Sequence, residues 1–151
     1  MTHSTEILIA DDEPAIGEII VEVAAGCGVR ARAFQTAEAL LDAYTPATAA
    51  IFIDLHMPDM DGIELIERLE SLGCTSNLVL ISGQSAQMLE ITHNLGKAKG
   101  MRMVKVLGKP FEIDALEDLI QELSSQHLIY AEPGIETAGT AGSGILKTGF
   151  I

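Results

Sequence analysis

The sequence predicts a doubly wound α/β fold, a five-stranded parallel sheet of order 2-1-3-4-5 with helices on both faces. Three observations lead there. Short apolar runs alternate with stretches of helical apolar period over residues 1–125. The runs are nearly continuous rather than alternating, as in strands covered on both faces. Each strand–helix unit takes about 20–28 residues, enough for a right-handed crossover but too long for a hairpin.

Glu6-Ile7-Leu8-Ile9-Ala10 is the first such run. Pro14 opens a helix whose apolar positions Ile16, Ile19, Ile20, Val23, Ala24 and Cys27 keep the 3.6 period, with Gly26 and Gly28 at its end. Val29 to Phe34 reads as a second strand, and Thr36 caps a short helix that Thr45-Pro46 stops. Ala49 to Asp54 is the third strand and the most apolar one. A turn rich in Pro and Asp leads into a helix from Ile63 to Leu72. Leu78 to Ser82 forms strand four, followed by a helix from Ser85 to Lys97 with Gly96 and Gly100 bracketing its end. Met103 to Leu107 is strand five. The last helix carries Ile113, Leu116, Leu119, Ile120 and Leu123 on one face. Five strands so connected favour the flavodoxin-like order, in which ligands bind outside the carboxyl ends of the strands.

Residues 1–125 therefore form one domain. From Gln126 to Ile151 the period stops and Gly134, Gly139, Gly142, Gly144 and Gly149 accumulate, which reads as a tail or a linker toward an absent effector domain.

Composition narrows the function. With 22 acidic and 9 basic residues among 151, the net charge is -13, which repels a phosphate backbone and argues against direct nucleic-acid binding. Lys97, Lys99, Arg102, Lys105 and Lys109 do cluster, and they read as a solvated helix end and strand flank. No stretch approaches the ~18 apolar residues of a membrane span. The N-terminus lacks the charged and apolar regions of a secretory signal. Cys27 and Cys74 make neither a disulfide framework nor a metal set, so the expected setting is a reducing cytoplasm.

The chemistry lies at the strand ends. Strand one ends in Asp11-Asp12-Glu13, strand three in Asp54 and strand four in Ser82, while Lys109-Pro110 follows strand five. A sheet with strand one central brings these together. Carboxylates so packed repel by several kcal/mol unless a cation neutralises them, and hard oxygens with room for water suit Mg²⁺. Such an ion beside a carboxylate and a lysine is what a transferring phosphoryl group needs. Asp54, at the end of the most buried strand, is the natural nucleophile. Ser82 and Lys109 are placed to bind the oxygens of the resulting acyl phosphate.

Four segments carry a resemblance: Ile9 to Pro14, the run Ile53-Asp54-Leu55-His56-Met57-Pro58-Asp59-Met60-Asp61-Gly62, Leu80 to Gly83, and Gly108 to Phe111. Over about residues 5–125 the chain resembles the receiver domain of two-component response regulators. The resemblance implies that Asp11, Asp12 and Asp54 hold Mg²⁺ together with the backbone carbonyl of His56. It also implies that Asp54 is the phosphoacceptor, Ser82 the switch hydroxyl and Lys109 the phosphate-binding lysine. A sensor histidine kinase or phosphotransfer protein would donate the phosphoryl group to a cytoplasmic signalling domain that is not an enzyme. A downstream effector would read the outcome, and the face of helix four, strand five and helix five would serve it or a second copy. The strand-five neighbourhood is reminiscent of receivers joined to EAL-type phosphodiesterases, a fold-level analogy. One departure is Val106, where many receivers carry an aromatic residue that relocates on activation. His56 and Gln84 stand where the family tunes phosphoryl lifetime.

An alternative class is a phosphatase of the haloacid-dehalogenase type, which also forms an aspartyl phosphate. It needs an Asp-x-Asp motif after strand one, whereas Asp11 and Asp12 are adjacent. An FMN carrier fits worse, because the acidic first loop repels a phosphate. A receiver-like module that has lost phosphorylation would not retain Asp11, Asp12, Asp54, Ser82 and Lys109 together.

Overall fold

The computed structural model describes residues 6–83 and 86–131, with side chains through residue 125. In chain order the elements are β1 (Glu6–Ala10), α1 (Pro14–Gly26), β2 (Arg30–Phe34), α2 (Ala37–Ala43), β3 (Thr48–Asp54), α3 (Gly62–Ser71), β4 (Asn77–Ser82), α4 (Ala86–Ala98), β5 (Arg102–Gly108) and α5 (Ile113–Ala131). The sheet runs β2-β1-β3-β4-β5 and every pair is parallel, the order expected from the sequence.

Alternation along the strands builds two cores. Leu8, Ala10, Ile51, Ile53, Leu78 and Leu80 face one way and meet Leu40 of α2, Leu65, Ile66 and Leu69 of α3, and Leu89 of α4. Ile7, Ile9, Ala50, Phe52, Val79 and Ile81 face the other way, under Ile20 and Ala24 of α1 and Leu116, Leu119, Ile120 and Leu123 of α5. Burying both faces explains why β3 and β4 are sequestered along their whole length, while the edge strands β2 and β5 alternate with solvent.

The end of α4 at Ala98 lies between Gly96 and Gly100, as expected; Gly96 admits the Met103 thioether, where a Cβ would collide, and Gly100 takes the turn at φ +78°. Two local expectations need correction. Ile113 is half exposed because it is the first residue of α5 and projects beyond the core that Leu116 enters. The last helix also continues past Ser125 to Ala131. Gln84, Ser85 and residues 132–151 lie outside the described residues, so the reading of Gln84 is not addressed by the structure. No helix among the described residues is long and apolar enough to cross a membrane.

Candidate functional site

Parallel register carries the strand ends to one edge. Ala10 of β1 pairs with Ile53 of β3, so the next residues, Asp11 and Asp54, emerge side by side. Asp54 pairs with Ile81 of β4, and Ser82 pairs with Gly108 of β5. The Lys109 N–H then donates to the Ser82 carbonyl at 2.9 Å, which fixes the lysine backbone beside β4.

Asp11, Asp12 and Asp54 offer carboxylate oxygens that all lie within 4.8 Å of one another. Asp11 and Asp54 are buried and Asp12 is exposed, so the group opens to solvent on one side. Asp11 Oδ1 accepts the Glu13 N–H at 2.9 Å and Asp54 Oδ1 accepts the His56 N–H at 3.1 Å. The Lys109 ammonium stands 2.8 Å from Glu13 Oε1, 3.0 Å from Asp11 Oδ2 and 3.5 Å from Asp54 Oδ2. Asp11 Oδ2 is in ionic contact with that ammonium but is not aligned for a hydrogen bond, which leaves a buried anionic oxygen without a donor. Hard oxygens, one of them unsatisfied, fit a small divalent cation.

The electrostatics follow from this crowding. Burial pushes the Asp54 carboxyl up; the His56 N–H and the Lys109 charge oppose this and the Asp11 charge adds to it, leaving a pKa of about 6. Burial alone would lower the Lys109 ammonium. The hydrogen bond it donates to Glu13, its close contact with Asp11 and the charges of Asp54 and Asp11 outweigh it and hold the lysine above its ordinary range.

Of the expected site residues, Asp11, Asp12, Asp54 and Lys109 converge through their side chains. Ser82 is buried at the end of β4, one position beyond the partner of Asp54. The His56 imidazole is exposed, and its backbone N–H donates to the Asp54 carboxylate. Val106 is half-buried against the core beneath α4. The basic cluster is divided: Lys99 pairs with Glu70 at 3.1 Å and Lys109 turns into the acidic cleft.

Two residues have roles the sequence reading did not assign. Glu13 supplies the shortest contact of Lys109. Asp59 reaches from the β3–α3 loop and accepts the N–H groups of Ala37 and Glu38, both at 3.0 Å, at the first turn of α2. Slight burial would raise the Asp59 carboxyl, but those N–H groups lower it below its usual value. Asp59 therefore ties the β3–α3 loop to α2. Asp59→Ala is expected to cost about 0.5–1 kcal/mol, a modest value for an exposed cap, measurable by urea unfolding at pH 7. An unchanged midpoint would show that Thr36, whose hydroxyl accepts the Ala39 N–H, suffices as cap.

Comparison with known proteins agrees with this geometry. Residues 7–121 match the family model of the response regulator receiver domain. The chain is 28% identical over 142 residues to the transcriptional regulatory protein FixJ of Bradyrhizobium diazoefficiens, covering 93% of this chain and 65% of that protein. It is 30% identical over 140 residues to FixJ of Rhizobium meliloti, covering 91% and 65%. The chain thus spans slightly less than two thirds of these relatives. A response regulator from Colwellia psychrerythraea superposes with a TM-score of 0.72 at 28% identity, covering 81% of this chain and 98% of that one.

Proposed function

The chain belongs to the receiver family of two-component response regulators, and from that premise we propose that Asp54 accepts a phosphoryl group from a kinase or phosphotransfer protein. The observation behind this is the convergence of the Asp11, Asp12 and Asp54 carboxylates with the Lys109 ammonium at the carboxyl edge of the sheet. Asp54 attacks as a carboxylate: an oxygen bonds to phosphorus as the bond from phosphorus to the donor imidazole nitrogen breaks, and the imidazole takes up a proton. The haloacid-dehalogenase-type phosphatase finds no support among these matches.

Asp11, Asp12 and Asp54, with the His56 carbonyl, would hold Mg²⁺. When bound, this ion supplies neutralisation of the carboxylates and of the transferring phosphoryl oxygens. Lys109 is in reach of Asp54 and binds a phosphoryl oxygen there. Ser82 donates its hydroxyl to another, drawing Gly83 and the start of α4 toward the site. Val106 has no large ring to relocate, so the loop after β4 carries the greater part of the change. The altered face of α4, β5 and α5 addresses a downstream effector or a second copy, in the cytoplasm.

Incubation with Mg²⁺ and acetyl phosphate is expected to add one phosphoryl group by intact mass. Chelation of the metal or Asp54→Asn should abolish it, whereas Asp61→Asn should not. Stoichiometric labelling of Asp54→Asn would place the acceptor elsewhere.

A further inference from the structure

Glu13 is the N-cap residue of α1, yet its side chain makes no capping hydrogen bond. The cap position favours short polar side chains that fold back onto the helix N–H groups, and a glutamate there is free to reach outward. Its own N–H is taken by Asp11 Oδ1, which holds the residue extended at φ -93° and ψ 107°. The carboxylate then runs to Lys109 Nζ at 2.8 Å, against 3.5 Å from the same ammonium to Asp54.

We propose that Glu13 is a positioning residue that keeps the Lys109 ammonium on the Asp11 side of the cleft and competes with the phosphoryl group for it. An ammonium has three protons to donate, and here three carboxylates already claim it. A phosphoryl oxygen on Asp54 takes the place of that carboxylate's own 3.5 Å contact, and to close on it the ammonium must draw away from Glu13 or Asp11. Glu13 is the natural one to leave, because its carboxylate is 61% exposed and regains water, whereas Asp11 is sealed in. Glu13 therefore weakens the hold on a bound phosphoryl group without touching it.

The inference rests on Asp54 being the acceptor, and the test separates the two. Beryllofluoride serves as the acyl-phosphate mimic, with Mg²⁺ saturating for each variant so that metal affinity does not enter. Glu13→Gln keeps the shape but removes the charge, and is expected to bind beryllofluoride about two- to fivefold more tightly than wild type, the range of an exposed ion pair. Glu18→Gln, an exposed neutralisation on the next turn of α1, should leave the affinity unchanged. In the metal-free protein the Lys109 Nζ resonance should move in Glu13→Gln and stay in place in Glu18→Gln. Equal affinity of Glu13→Gln and wild type overturns the competition, and equal tightening by Glu18→Gln would reduce it to a general field. Failure of wild type to bind beryllofluoride, or binding by Asp54→Asn, overturns the acceptor assignment and this inference with it.

Discussion

Replacing Lys109 with methionine is expected to cost about 2–3 kcal/mol of stability at pH 8 in the metal-free protein, and markedly less at pH 5. Methionine retains the apolar stem and removes only the charge. The ammonium is the cation beside two carboxylates whose side chains are 0% and 4% exposed, Asp11 and Asp54. Without it, two anions face each other where water cannot screen them. Losing one partner of a buried pair costs more than the pair contributes, because the remaining charge stays desolvated.

The protein has one escape, which sets the pH dependence. Asp54 already titrates near pH 6 with the lysine in place, and removing the lysine pushes it higher still. Near pH 8 the variant must ionise this carboxyl or bind a proton against the bulk. At pH 5 Asp54 is protonated in both proteins, and Lys109 then answers only Asp11 and Glu13. Urea unfolding at the two pH values measures the difference. Mg²⁺ should stabilise the variant more than wild type, since a divalent cation replaces the missing charge. An equal loss at both pH values would mean that Lys109 acts through Asp11 and Glu13 and not through Asp54.

Much of this site was visible in the sequence because strand ends are chemically conspicuous. Asp11, Asp54 and Ser82 each follow an unbroken apolar run, and parallel topology fixes which ends become neighbours. The central strands were legible for the same reason: both faces are buried, so the residues carry no alternation to misread. The pairing of Glu13 with Lys109 is not legible, although the acidic turn is. It joins residues 96 positions apart, and the side chain bridges only because its expected capping role is unused. The Asp59 clamp on α2 was hidden likewise, since an Asp in a Pro-rich turn reads as serving its own loop. Periodicity failed at Ile113 because it reports which side of a helix is apolar, not whether the sheet extends far enough to cover that turn. The close approach of Met103 at Gly96 was hidden too, because a glycine that admits a neighbour and one that serves a helix end look alike in a sequence.

Lowering the pH from 7 to 4 is expected to increase the contribution of Asp54 to the stability of the metal-free protein by about 1–3 kcal/mol. In the folded chain this carboxyl has a pKa of about 6, against the ordinary 3.8, so between those values the folded state binds more protons than the unfolded one. The stabilisation is fully present below the unfolded value and is lost as the pH rises through 6. Ionised Asp54 is therefore a strain on the resting fold at neutral pH, which burial beside Asp11 imposes and Lys109 only partly relieves. Other groups titrate in the same window, so the measurement is a difference: unfolding free energy of wild type minus that of Asp54→Asn, followed from pH 4 to pH 7.5. The amide cannot ionise, so the difference should be near zero at the acid end and turn against wild type as the pH rises. Mg²⁺ at tenfold its dissociation constant should return about 1.4 kcal/mol to wild type at pH 7 and progressively less below pH 6, where protons compete for the same oxygens. A flat difference curve, or a metal affinity that does not weaken in acid, would show that Asp54 ionises as freely as an exposed carboxylate and is not held poised by its surroundings.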